Sequence, residues 1–238
     1  MKRASAFFAL LLALSFSTSH AQSPSIRSGQ THAKVKMQGW TIHVNLELWK
    51  TEKEATTRMA ELLDGQLQRV VQSVPPHALV RLRRIQIWVN PPYQGIQPKA
   101  EYHPGADWLR ENGRDPAMAK GIEFTNVKIF PFENRRMPYV LLHELCHAYH
   151  DQVLGFDQKE IIAAYEMAKQ AGGYEEVQRF DGKKTVTGRA YALENHREYF
   201  AEITEAYFGK NDFFPFNREE LLSHDPEGFR VVKVMWGD

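Results

Sequence analysis

The chain has 238 residues, 25% of them charged and 43% hydrophobic, and a formal net charge of +1 at pH 7. That length suffices for one domain with its own core, and the near-neutral balance excludes a general electrostatic grip on nucleic acid. The single cysteine, Cys146, excludes an intramolecular disulfide, so stability has to come from the core.

Residues 1–21 read as a secretory signal. Lys2 and Arg3 precede an apolar stretch from Ala6 to about Phe16, too short to span a bilayer, and Ser19-His20-Ala21 has the small-residue pattern of a cleavage site. A secreted or periplasmic protein is expected, free of the membrane after cleavage. Loss of Lys2 and Arg3 takes the formal charge from +1 to −1. Residues 22–36 are polar and read as a flexible leader, and residues 37–238 as one domain.

Trp40, Ile42, Val44, Leu46 and Leu48 alternate with polar residues, which predicts a half-buried strand. Thr51 and Glu54 are spaced as a capping box, and the helix after them lines up Ala55, Met59, Leu62, Leu63, Leu67, Val70 and Val71 until Pro75-Pro76 ends it. Ile85, Ile87 and Val89 form a second strand. Residues 91–120 read as loop with a helical turn near 106–111. Ile122 and Phe124 share one phase and Val127 and Ile129 the other, so a strand region with a bulge or tight turn at Thr125-Asn126 is expected. Pro138 suits the first turn of a long helix over 138–153. Helices follow over 158–171, stopped by Gly172-Gly173, and over 196–208, stopped by Gly209. Asn217 with Glu220, and Asp225 before Pro226, open two short helices. Strands first and helices later predict an α+β domain, with a mixed sheet in the first half packed on the long helix and a mostly helical C-terminal half.

That long helix carries His143-Glu144-Leu145-Cys146-His147. Residues four apart share a helix face, so His143 and His147 can present two imidazoles to one ion, with Glu144 placed as a general base. Zinc in a catalytic site needs a third protein ligand and an open position. The three-histidine signature does not fit, because His150 and Val153 stand where it needs glycine and histidine; His150 reads as a solvated residue. The third ligand is sought in Asn195-His196-Arg197-Glu198-Tyr199-Phe200-Ala201-Glu202, where Glu198 and Glu202 are again four apart. Asn195 and Glu198 are also spaced as a capping box, in which case Glu202 is the ligand or neither is. Cys146 reads as a small buried side chain.

Leu142-His143-Glu144-Leu145-Cys146-His147-Ala148 and Glu198-Tyr199-Phe200-Ala201-Glu202-Ile203 together resemble the gluzincin metallopeptidases, in particular the group of anthrax lethal factor and the secreted proline-proline endopeptidases. The resemblance covers these two short segments. It implies a zincin-like fold, one zinc ion held by His143, His147 and Glu198, Glu202 as a supporting residue, and a tyrosine seven residues before the glutamate ligand, here Tyr191, that stabilises the transition state. The chain departs from the group in the 50 residues between His147 and Glu198, which include a whole predicted helix. On this reading Glu144 removes a proton from the attacking water and returns it to the leaving amine of a peptide or protein substrate. The substrate is expected to add as a strand to an edge over Ile122–Ile129, near Lys128. The alternatives are a non-catalytic zinc-binding structural or interaction protein, and a carbohydrate-binding exported protein using aromatics such as Trp40, Trp49, Trp88 and Trp108.

Overall fold

The computed structural model describes residues 31–238; the expected signal at 1–21 and the first part of the expected leader lie outside the described residues. The leader is shorter than its polarity suggests, because residues 32–36 belong to a strand. β1 (His32–Met37) pairs antiparallel with β2 (Trp40–Asn45), setting Ala33, Val35 and Met37 opposite Val44, Ile42 and Trp40. Gln38 and Gly39 both take positive φ, the turn geometry that matches strand twist in a two-residue hairpin.

The alternation from Trp40 stops at Asn45 and does not reach Leu48. The Asn45 side chain accepts from Glu47 N and caps a short helix, α1 (Leu46–Thr51). The capping box expected at Thr51 and Glu54 is not formed. Thr51 is the last residue of α1, where its hydroxyl donates to the Glu47 carbonyl, and α2 (Lys53–Ser73) begins without a side-chain cap. Pro76 then opens a further helix, α3 (Pro76–Leu82), in the first-turn position that proline favours.

The sheet continues with β3 (Ile87–Val89), β4 (Ala100–Tyr102) and β5 (Ile122–Phe124), with α4 (Ala106–Glu111) between β4 and β5. Strand order is β1-β2-β3-β5-β4: the central pairs β2·β3 and β3·β5 are parallel and the outer pairs antiparallel. The domain is thus α+β with a mixed sheet. Two expectations change here. The strand region ends at Phe124, because Ile129 N turns back onto the Asn126 carbonyl and α5 (Phe130–Arg136) follows. The phase slip is therefore a strand end rather than a bulge. β5 is also not an edge, since β4, within the stretch expected to be loop, covers it.

Ile42, Val44, Ile87, Val89, Ile122 and Phe124 enter the main core with Met59, Leu63, Leu67 and Val70 of α2. The opposite face carries His43, stacked on Trp88 at 3.9 Å, and a smaller cluster of Trp88, Leu109 and Met118. Trp40 and Trp88 are buried in the core, Trp49 is partly buried and Trp108 is 44% exposed.

The second half is helical apart from one hairpin. α6 (Val140–Tyr149) starts two residues after Pro138 and packs on β4, β5 and α2; its Leu141 N–H donates to Gln66 Oε1 at 2.9 Å. A single π-turn (His150–Leu154) ends it. α7 (Lys159–Ala171), α8 (His196–Phe208), α9 (Arg218–His224) and α10 (Pro226–Trp236) follow close to their expected bounds. The antiparallel pair β6 (Val177–Phe180) and β7 (Thr185–Gly188) lies between α7 and α8. Among the described residues, no helix is long and apolar enough to cross a membrane.

His150 is fully buried, contrary to the solvated role expected of it. It sits against Phe156, Phe200 and His196, and neither ring nitrogen has a hydrogen-bond partner among the described residues. Burial, with the His196 and His147 charges, pushes its pKa down from 6.5 to about 3. The native state keeps His150 neutral, whereas the unfolded chain takes up the proton. Stability is therefore fully present above pH 6.5 and is lost as pH falls below it, by at most about 1.4 kcal/mol per pH unit from this residue. Urea melts of His150→Leu between pH 6.5 and 4 should show a shallower loss than the parent chain; an unchanged slope would refute the assignment.

Candidate metal centre

Val140, Leu141, Leu142, Leu145, Cys146 and Ala148 bury α6 on most sides. The polar residues of the same helix then open onto one cleft of about 540 Å³, lined by His143, Glu144 and His147 together with Glu198, Glu202, Tyr191 and the β4 segment from Pro98 to Tyr102. The His143 and His147 rings lie one turn apart with centroids at 4.8 Å.

α8 supplies the acidic side. Asn195 caps it by accepting from Arg197 N and Glu198 N at 2.9 and 3.1 Å. The Glu198 side chain is not the reciprocal half of a capping box. Its Oε2 lies 3.1 Å from His143 Nε2 and 3.2 Å from His147 Nε2. Glu202, one turn further along, reaches neither Nε2. Its Oε1 is 3.7 Å from His143 Nδ1, and its Oε2 accepts from Asn211 at 3.1 Å. Of the two carboxylates, Glu198 is the one brought to both histidines.

Glu205 was not anticipated and completes the arrangement. It is fully buried, and its Oε1 is 2.8 Å from His143 Nδ1. Glu198, Glu202 and Glu205 fall at i, i+4 and i+7, the spacing of one helix face, and that signal was present in the sequence. With the Nδ1 proton given to Glu205, His143 Nε2 directs a lone pair toward the Glu198 oxygen that also faces His147 Nε2. Acceptor against acceptor is stable only with a positive charge between them, either protons or a cation. The donor set is the one zinc takes, and a tetrahedral ion with bonds of about 2.0–2.1 Å needs donors about 3.3 Å apart, which these separations meet.

Without a cation the protons follow the same demand. Burial disfavours a charged His143, but hydrogen bonds with Glu198 and Glu205 outweigh it and hold its pKa well above 6.5. Burial likewise opposes ionisation of Glu198, and the contacts with His143 and His147 outweigh it, holding that carboxyl below the usual range. Glu202 and Glu205 are raised, mainly by burial. Behind them Asp212 receives Arg136 at 2.9 Å and lies 3.4 Å from Arg179, so two guanidinium groups offset the inner end of the acidic cluster.

Tyr191 lies in a short 3₁₀ turn, 44% exposed, with its ring 6.3 Å from that of His143. Burial of part of the ring, and then Glu198, push its pKa up to about 12, so the hydroxyl keeps its proton at neutral pH. Cys146 is buried as expected, its Sγ facing the Phe200 carbonyl and Thr204 Oγ1. Glu101, His103 and Glu123 also converge, but Arg114 reaches both carboxylates and supplies the positive charge there itself. Comparison of the chain with family models, curated proteins and solved structures finds no match.

Metal analysis of the purified chain after zinc loading and dialysis tests the ligand set. Glu198→Ala should empty the site, Glu202→Gln should leave it filled, and Glu205→Gln should weaken retention about 10- to 100-fold by releasing the His143 ring. Loss of metal in Glu202→Gln with retention in Glu198→Ala would move the third ligand to Glu202.

Proposed function

We propose that the chain is an exported, zinc-dependent endopeptidase of the gluzincin type on a zincin-like fold. The observation that carries this reading is the meeting of His143 Nε2, His147 Nε2 and Glu198 Oε2 in an open cleft that also holds Glu144. A zinc ion held there supplies Lewis acidity and brings water into a reactive range near neutral pH.

The residues of the chain do the rest. Glu144 follows His143 on α6 and faces the same cleft, so its carboxylate takes the proton of the attacking water and delivers it to the departing amine. The Tyr191 hydroxyl, kept protonated, donates to the developing oxyanion. Glu205 holds the His143 ring in the tautomer whose Nε2 faces Glu198.

Substrate alignment falls to β4 rather than β5. Lys99 and His103 bond toward β5 through Thr125 N, Gly121 O and Lys120 N, and the antiparallel alternation then turns the backbone groups of Ala100 and Tyr102 outward. These groups border the cleft, so an extended peptide added there passes across the histidines. Lys128, which pairs with Glu52 at 2.6 Å, has no part in that edge.

Digestion of a peptide library by the zinc-loaded chain, read by mass spectrometry, tests the function. Glu144→Gln should lower kcat by about 10²- to 10⁴-fold with zinc content unchanged. Tyr191→Phe should lower kcat about 100-fold with little change in KM. A zinc-replete chain that cleaves nothing, or Glu144→Gln with undiminished cleavage, would sink the proposal.

A further inference from the structure

Besides the histidines, the wall of the cleft holds three basic residues, Lys99, Arg136 and Arg179. Two of them are already paired. Lys99 meets Glu101, and Arg136 places Nη1 on Asp212 at 2.9 Å and Nη2 on Glu133 at 2.6 Å. Arg179 differs. Its Nε faces Asp212 Oδ2 at 3.4 Å, but among the described residues neither Nη atom has a hydrogen-bond or ion-pair partner. Nε is the one nitrogen of this side chain that is both buried and unpartnered, so the two Nη atoms are open to solvent. One carboxylate cannot neutralise two guanidinium groups. Glu133 makes up the difference for Arg136, and no second carboxylate among the described residues does so for Arg179.

Arg179 is also held in place. Its backbone forms an antiparallel bridge with Phe213, flanked by Phe180 N on the Asp212 carbonyl and Phe214 N on the Gln178 carbonyl, both at 2.8 Å. The guanidinium carbon stands 4.6 Å over the Phe213 ring. A guanidinium tethered at Nε and laid on a ring keeps its plane, and its two Nη atoms form the fork that matches the two oxygens of a carboxylate. A fork fixed beforehand loses little freedom when it binds. The route back to the histidines is short: His143 Nδ1 lies 3.7 Å from Glu202, and Glu202 accepts from Asn211, the neighbour of Asp212. A peptide lying across the histidines therefore has Arg179 in the wall of the same space.

We propose that Arg179 is a specificity-determining residue that binds a carboxylate of the substrate through Nη1 and Nη2, so that the cleft selects acidic peptides. The assignment rests on the reading of the cleft as a peptide site and names its substrate class. The carboxylate comes from a glutamate or aspartate side chain or from the C-terminus of the peptide, and both present the same pair of oxygens. Glu101, Glu133 and Asp212, which share the cleft wall, are each paired with a basic residue and so repel an incoming anion less than free charges do.

The experiment uses the zinc-loaded full chain carrying Glu144→Gln and peptides labelled with fluorescein at the N-terminus. The parent peptide alternates Ala and Gln and ends in an amide. Its relatives carry Glu in place of one Gln at a time, or a free C-terminus. Fluorescence anisotropy should show a Glu peptide or the free-acid peptide binding about 10- to 100-fold more tightly than the parent, the range of a charge-assisted pair of hydrogen bonds. Glu preferred at one position marks a side chain as the source, and preference for the free acid alone marks the C-terminus. Arg179→Gln should abolish the advantage and leave binding of the parent within about 3-fold. Arg179→Lys keeps a charge beside Asp212 but loses the fork, so it should hold zinc and retain only a small part of the advantage. Equal binding of all the peptides would overturn the proposal. So would an advantage that survives Arg179→Lys undiminished, which would place the carboxylate on the metal or elsewhere. An advantage lost in the Arg179 variants, with no peptide cut by the chain that keeps Glu144, would leave the carboxylate site standing and remove the peptidase reading. Cleavage without any such advantage would do the reverse.

Discussion

The buried acidic face of α8 has to be neutralised, and much of the second half of the molecule is arranged around that demand. Glu202 and Glu205 point from one helix face into space closed to water, with Asp212 behind them, and Glu198 on the same face stands in the open cleft. Carboxylates in such a place either take up protons or find cations. Arg136 and Arg179 serve the inner end through Asp212, and His143 serves Glu205. At the outer end, where the cleft opens, Glu198 faces the two Nε2 atoms, and the balance there falls to protons or to a cation.

The same demand explains the intervening chain. The β6–β7 hairpin lies in the 50-residue stretch between the two motif segments, and it does more than fill space. Phe180 N donates to the Asp212 carbonyl, Phe214 N donates to the Gln178 carbonyl, and Arg179 lies over the Phe213 ring. The hairpin thus pins the 212–214 segment and carries Arg179 to Asp212. α5 brings Arg136 to the same carboxylate from the first half of the chain. At the far end, Gly209 lies under the Tyr139 ring at the cap of α6, where a Cβ would come within 2.2 Å of ring carbons. That close approach seats the start of α6 on the end of α8.

The long elements were legible in the sequence because they repeat a period often enough to be seen. α2, α6, α7 and α8 each run for ten residues or more, and the ends of α7 and α8 follow the glycines and the Asn195 cap. β4 has three residues and no pattern to read, so the true sheet edge was hidden and the neighbouring β5 took its place. The β6–β7 hairpin did carry a mark, Asp181-Gly182, whose aspartate accepts from Lys183 N and Lys184 N. His143, His147 and Glu198 were placed by spacing and resemblance. Glu205 was not, although its spacing was visible, because only tertiary packing turns the His143 Nδ1 toward it. His150 was misjudged for the same reason: its local sequence is polar, while Phe156 and Phe200 arrive from outside it.

Cys146 has a consequence beyond packing. Its thiol is sealed between α6 and α8, and burial pushes its pKa up to about 12, so the folded chain offers no thiolate to an oxidant or to another thiol. The chain therefore cannot be cross-linked through sulfur while the two helices stay together. A covalent dimer, where one forms, records a molecule in which α6 and α8 had already parted. The lone cysteine is in effect a tally of unfolding events, written only when the scaffold that holds the two histidines and the glutamate has come apart.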